Sequence, residues 1–201
     1  MRKFGLVLLL VFGALLFLFG PLSLVCRAAD LQERVIDNSI QYLDLRERTN
    51  HNDDPTIDRM LAYLGLPPRL SWCAAFVIWN YKEAGCKLPR QGRCATLLRV
   101  CQANGIRYLV FDAEEVAMGI RRLQPGDMPI WAHGRINAAR DFNGHTGIIL
   151  GQRNRTSFIS REGNTMPSNA GDQREGGGVY DRQRGLGFGS SFRVVGFIRV
   201  R

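Results

Sequence analysis

The sequence predicts an α+β domain with N-terminal helices packed on a C-terminal antiparallel β-sheet. Three observations lead there. Apolar residues recur at helical spacing through the first half, short β-branched and aromatic runs bounded by turn residues fill the second, and no internal repeat or long linker divides the 201 residues. That length suits one folded domain with a sizeable core.

Taken in order, the chain opens on a segment that stands outside the fold. Met1-Arg2-Lys3 is basic and Gly5 to Val25 is an uncharged apolar run. Cys26-Arg27-Ala28 then puts small residues at the −3 and −1 positions of a signal-peptidase site, with Ala29 as the new N-terminus. The run is also long enough to span a bilayer, so an uncleaved anchor through residues 5–25 is the alternative. On either reading residues 29–201 form one extracytoplasmic domain, periplasmic or secreted, after a signal peptide or anchor at 1–28.

Five helices follow from periodicity and punctuation. Residues 31–47 carry Leu31, Val35, Ile36, Ile40 and Leu43 on one stripe. In "NDDPTIDRMLAYLG", Asp54 is the N-cap, Pro55 takes the first helical position and Gly65 stops the helix. Residues 72–84 and 93–104 end at Gly85 and Gly105, and 113–122 opens on the capping pattern Asp112-x-x-Glu115. Five strands are predicted at 107–111, 128–131, 145–150, 156–162 and 192–200, the second entered through the turn Pro125-Gly126-Asp127. Residues 165–190, rich in Gly, Arg and Asp, read as a long loop.

The charge narrows the partners. There are 27 Lys and Arg against 18 Asp and Glu, formally +9. Without residues 1–28, which hold Arg2, Lys3 and Arg27, the balance is 24 to 18, or +6. Outside the cytoplasm such a surface meets anionic cell-wall polymer or membrane rather than nucleic acid, unless it serves solubility alone. Cys73, Cys86, Cys94 and Cys101 remain in that domain. Cys94, Leu97, Leu98 and Cys101 share one helical face, which reads as core, and no Cys-x-x-Cys pair suggests a redox or zinc site. Cys86, Cys94 and Cys101 are therefore expected to be dispensable for chemistry.

Cys73 differs, because it opens the apolar helix in "LSWCAAFVIWNYKEAG". It is a buried small hydrophobe or a nucleophile; a thiol in a first helical turn lies at the positive end of the macrodipole, which favours thiolate. A thiolate nucleophile needs an imidazole partner. His51 and His133 sit in polar or irregular stretches and are expected to be exposed, whereas His145 opens the strand "HTGIIL". Such a base needs a group that fixes its tautomer. In "SREGNT", Glu162 and Asn164 are two apart and face one way if the chain is extended, unless the segment is merely a surface turn.

Helix-start Cys, strand-start His and a polar residue on the next strand follow the papain-like order. The chain resembles the CHAP domains (cysteine, histidine-dependent amidohydrolase/peptidase), relatives of the NlpC/P60 cell-wall peptidases, over residues 40–200. "NDDPTIDRMLAYLGL…SWCAAFVIW…AG", "QPGDMPIW", "GHTGIILG" and "REGNT…GGGVYDRQR" carry the resemblance in order. It implies a papain-like fold, Cys73 as nucleophile, His145 as base, Glu162 and Asn164 as orienting groups, and peptidoglycan amides as substrate. Glu162 is expected to contribute more than Asn164, since a carboxylate also stabilises the imidazolium. Thr146 departs from the apolar residue common after the His, and the loop at 132–142 is longer than usual.

No cofactor or metal is expected. "NHNDD" offers oxygen ligands at Asn50, Asn52, Asp53 and Asp54 but lacks the Gly and distal Glu of a calcium loop, and capping by Asp54 accounts for the acids. Two other classes fit less well. A silent wall-binding module of the same fold would be free to lose Cys, His or acid, and a papain-like acyl transferase of permuted type would place His before Cys. An immunity or inhibitor protein is a partner such a hydrolase can carry, though no residue here points to one.

Overall fold

The structure, a computed structural model, describes residues 22–137, 139, 141–167 and 176–201. Most of the apolar run at 5–25 therefore lies outside the described residues. Among those described, no helix is long and apolar enough to cross a membrane. The chain is a mixed molecule of helices and antiparallel sheets, helices first.

Helix α1 spans Leu22–Ile40 and so runs across the expected boundary at residue 28. It ends short of the predicted residue 47, because Ser39 folds its hydroxyl back to Ile36 O (2.6 Å) and takes Arg161 Nη1 (2.9 Å). Residues 45 and 46 are then drawn out to pair with a later strand, Val179 N donating to Leu45 O at 3.2 Å. Helix α2 (Pro55–Tyr63) is capped as predicted, Thr56 N donating to the Asp54 carboxylate. Helix α3 (Cys73–Glu83) is buried on nearly all sides, from Ala74 to Ile78 and again at Asn80 and Tyr81, as an apolar-all-round helix must be. Helix α4 covers Cys94–Ala103. The short α5 (Ala113–Ala117) has the predicted capping box between Asp112 and Glu115 but stops before Gly119, which takes φ +78°.

Among the described residues there are seven strands: β1 (Tyr108–Phe111), β2 (Met128–His133), β3 (Asn143–Thr146), β4 (Ile148–Gln152), β5 (Ser157–Thr165), β6 (Gly178–Gly185) and β7 (Phe192–Val200). They make two antiparallel sheets, ordered β1-β7-β2-β3 and β4-β5-β6. The single run predicted at 145–150 is divided at Gly147, so one extended stretch leaves the first sheet and enters the second. A Cβ on Gly147 would stand 2.7 Å from Glu162 Cγ and 2.8 Å from Arg161 O, closer than side chains approach backbone. Glycine there lets β5 cross against the turn.

Strand β6 falls inside the stretch predicted as loop. Its pattern misled because two of its inward positions, Arg182 and Arg184, are cations that are nonetheless buried, whereas alternation is read from apolar residues. Residues 168–175 of that stretch lie outside the described ones. One apolar core joins α1–α4 to the faces of both sheets, around Trp72, Phe76, Ile78, Leu97, Ile130 and Ile148. A second fills the space around Phe111, Trp131, Phe158 and Phe197. The Pro125-Gly126-Asp127 turn ties the layers: Tyr81 Oη on α3 donates to Gly126 O, and Asp127 takes a two-pronged contact from Arg199 on β7 (2.7 Å each).

Candidate functional site

Cys73 is the first residue of α3, and its N-cap, Trp72, offers no side-chain cap. The first-turn N–H groups have no intrahelical acceptor by construction, so the helix start is a cluster of donors with the positive end of the dipole. Trp72 is buried and pinned by Nε1 donating to Glu47 Oε1 (2.9 Å). Beneath it runs β5, where a Cβ on Gly163 would stand 2.6 Å from Trp72 Cζ3 and 2.7 Å from Phe76 Cβ. Glycine at 163 therefore lets the helix start lie directly on the strand that carries Glu162.

His145 is buried on β3, opposite Trp131 in the register, with ring centroids 5.5 Å apart. Phe192 extends this aromatic wall, 5.7 Å from Trp131. His145 Nε2 lies 3.0 Å from Glu162 Oε2, which assigns that nitrogen the proton and leaves Nδ1 for Cys73. Nδ1 has no formed hydrogen bond among the described residues, although ring and thiol are close enough to shift each other's protonation.

Glu162 is fully buried and surrounded by donors. Besides His145, it accepts from Ser160 Oγ (2.6 Å), from Arg184 Nε (2.8 Å) and Nη2, and more weakly from Thr165 Oγ1 (3.4 Å). Burial alone would raise its pKa, but Arg184 and then His145 outweigh that and hold the carboxyl at about 2. For His145, burial works to lower the pKa, and the neighbouring Cys73 and Glu162 anions outweigh it, holding the ring at about 9. The Cys73 thiol is held well below its ordinary value, chiefly by a hydrogen bond from the Cys94 thiol, then by His145, with the Thr146 backbone N–H helping. Burial opposes this. Both shifts favour a thiolate beside an imidazolium, with a carboxylate and a guanidinium following in alternating sign.

Three of the four sequence-predicted residues, Cys73, His145 and Glu162, are thus gathered into one line. Asn164 is close in sequence but distinct in geometry. It is buried with φ +56°, in an irregularity where the β5–β6 register shifts between residues 162 and 165. The strict alternation that would aim it with Glu162 fails there. Of the other histidines, His51 is exposed with Nδ1 on Thr49 O (2.7 Å), as expected. His133 is not: it ends β2 half-buried, 4.6 Å from the Phe192 ring centroid.

Two residues were missed. Arg184 was absorbed into a supposed loop. Cys94, expected to be plain core, sits with its sulfur 3.9 Å from the Cys73 sulfur. The available signal was that both cysteines start predicted helices.

A cleft of about 170 Å³ reaches the thiol, lined by Ser71, Cys73, Arg93, Cys94, Phe142 and Gly144 among others. Arg93 and Asp141 form an ion pair (2.7 Å) at this side of the molecule. Beyond Phe142 lies a larger cavity of about 390 Å³, between α4 and β1, whose lining holds no nucleophile. The acids of "NHNDD" are engaged locally: Asp54 caps α2, and Asp53 accepts from Thr49 N (2.9 Å) and Oγ1 (2.8 Å). Among the described residues, no group of three or more His, Cys, Asp or Glu is arranged to hold a metal ion. Compared with protein-family models and with curated proteins, the chain matches none.

Proposed function

We propose that the chain is an extracytoplasmic cysteine hydrolase that cuts amide bonds in peptidoglycan, on a papain-like fold of the CHAP and NlpC/P60 type. The observation that carries this reading is the line Cys73–His145–Glu162, with the thiol on the first residue of a helix and the imidazole held by a buried carboxylate. Nucleophile, base and orienting group stand in that order along the chain, and the net positive charge suits an anionic polymer.

In this reading the Cys73 thiolate adds to an amide carbonyl carbon. The negative charge that develops on oxygen is met by N–H groups at the start of α3. The His145 imidazolium gives its proton to the departing nitrogen as the C–N bond breaks, leaving a thioester and an amine. His145, now neutral, takes a proton from water as it adds to the thioester, and the acid leaves while thiolate and imidazolium re-form. Glu162 stabilises the imidazolium while Arg184 holds Glu162. The bond cut is either the one joining muramic acid to the stem peptide or one within the stem or cross-bridge.

Purified peptidoglycan digested with the protein should yield new amino termini that mass spectrometry can place. Cys73→Ala should yield none. Undigested polymer with the unsubstituted protein, across Gram-negative and Gram-positive preparations, would remove peptidoglycan as substrate.

A further inference from the structure

Cys94 takes no covalent part in the proposed hydrolytic sequence, yet it lies against the one sulfur that does. The two are the first residues of α3 and α4, and neither helix has a side-chain cap. Their starts converge. Cys94 is pressed in by β3, where a Cβ on Gly144 would stand 2.8 Å from Cys94 Cβ. Both sulfurs are reduced, 3.9 Å apart, and both residues line the cleft through which a small molecule would arrive. A disulfide needs about 2.05 Å, so closure asks for roughly 2 Å of movement between two side chains that each have a rotatable Cα–Cβ bond.

We propose that Cys73 and Cys94 form an oxidisable dithiol, with Cys94 the resolving thiol that captures an oxidised Cys73 as a disulfide. The oxidant is a hydroperoxide. The Cys73 thiolate attacks its terminal oxygen, so that an S–O bond forms and the O–O bond breaks. The departing alkoxide takes the His145 proton and leaves as an alcohol, or as water from hydrogen peroxide. The Cys94 sulfur then attacks the sulfenic sulfur, the S–S bond forms, and hydroxide leaves with the Cys94 proton as water. The sulfurs together lose two electrons and the peroxide gains them.

A nucleophile tied up in this way cannot attack a carbonyl, and a thiol reductant restores it. It is also protected, because a sulfenic acid without a neighbouring thiol goes on to sulfinic acid, which thiols do not reverse. The dithiol stands whether or not the chain is a hydrolase; only its consequence for turnover rests on the proposed function. Cys86 and Cys101 are not candidates for this role, since the only thiol within reach of Cys73 among the described residues is Cys94.

Trypsin separates Cys73, Cys86, Cys94 and Cys101 into peptides 70–82, 83–87, 94–99 and 100–107, so the pairing can be read directly. Reduced protein is treated with a small excess of hydrogen peroxide, alkylated under denaturing conditions, digested and analysed by mass spectrometry. The expected product is peptide 70–82 joined to 94–99 with the loss of two hydrogens, returned by dithiothreitol to two free thiols that a second alkylation then caps. In Cys94→Ser the same treatment should place two oxygens on 70–82. Recovery of 94–99 fully alkylated while unsubstituted protein carries sulfinic acid at Cys73 would overturn the proposal, as would a link from Cys94 to Cys101. A reversible link in a protein that never digests peptidoglycan would leave the dithiol standing and remove peptidoglycan as the substrate.

Discussion

At the scale of single residues, the site depends on one buried carboxylate that serves two cations. Glu162→Gln keeps the shape but removes the charge that stabilises the imidazolium. It should lower kcat on the order of 10²-fold or more with little change in KM, the pattern of an interaction made in the transition state. It also leaves Arg184 buried beside a neutral amide, so a stability loss of about 3 kcal/mol should accompany it. Asn164→Gly should cost far less in rate, because glycine adopts the positive φ found there. A collapse of kcat in Asn164→Gly with near-normal Glu162→Gln would exchange their roles. The ion pair also sets a pH window. His145 is held above its ordinary 6.5, so its contribution to stability is full below that value and is lost as pH rises through about 9. Glu162 is held below its ordinary 4.5, so its contribution is full above that value and is lost as pH falls toward about 2. Melting curves of the unsubstituted protein and His145→Gln should therefore converge as pH rises from about 6.5 to about 9. A gap that stays constant over that range would mean that the ring is neutral at rest. Cys73, His145 and Glu162 were legible because each sits in a short stretch whose local chemistry is unusual. Arg184 and Cys94 act on the site across 22 and 21 positions of sequence. Nothing local marks the contact of Arg184, and for Cys94 the only mark is its place at a helix start, like that of Cys73.

At the scale of elements, the spacing of α3 above β5 is set by the absence of one side chain. Gly163→Ala would force a methyl into Trp72 and Phe76, at a cost of about 1–3 kcal/mol if the helix shifts to relieve it. Such a shift moves Cys73 relative to His145, so turnover should fall more than stability implies. Thermal melts and single-turnover kinetics at a temperature where the variant is fully folded would separate the two losses. Unchanged turnover in the folded variant would mean that α3 is positioned by α1 and α2 instead. Helices were readable to within a few residues wherever a cap or stop residue marks them: Asp54 and Gly65, Asp112 and Glu115. The end of α1 was not, because the stripe from Leu31 to Leu43 runs on past Ile40, where the helix ends and the chain turns to bring residues 45–47 against β6 and the residue before it. Propensity yields there to a strand pairing more than 130 residues away. β6 itself escaped because its inward cations look like solvent-facing ones until their partners, Glu162 for Arg184 and Met166 O for Arg182, are known.

At the scale of the whole molecule, the helical layer and the sheets are held in register by few but buried polar ties. Asp127 is fully buried, and Arg199 on β7 gives it both of its charged contacts. Arg199→Met strands that carboxylate and should destabilise the fold by about 3–5 kcal/mol. For a chain of this size that corresponds to a fall in Tm of roughly 10 °C. Because the pair is remote from Cys73, kcat well below the melting point should stay close to that of the unsubstituted protein. A Tm loss under about 2 °C would show that Asp127 finds another partner or takes up a proton. The α+β order was visible from the outset, since helical periodicity and alternation occupy separate halves. The division into two sheets was not, because it turns on Gly147, and a glycine inside a strand pattern signals a close approach without naming the partner.

The placement of Arg184 has a consequence in time. Synthesis runs from residue 1, so the nucleophile and the base both emerge well before β6, and domains fold as their last segments arrive. Until β6 docks, Glu162 has no guanidinium beside it and the imidazole has a weaker anchor. The chain thus carries a delay written into its topology: the carboxylate that anchors the imidazole is not itself anchored until the penultimate strand is in place.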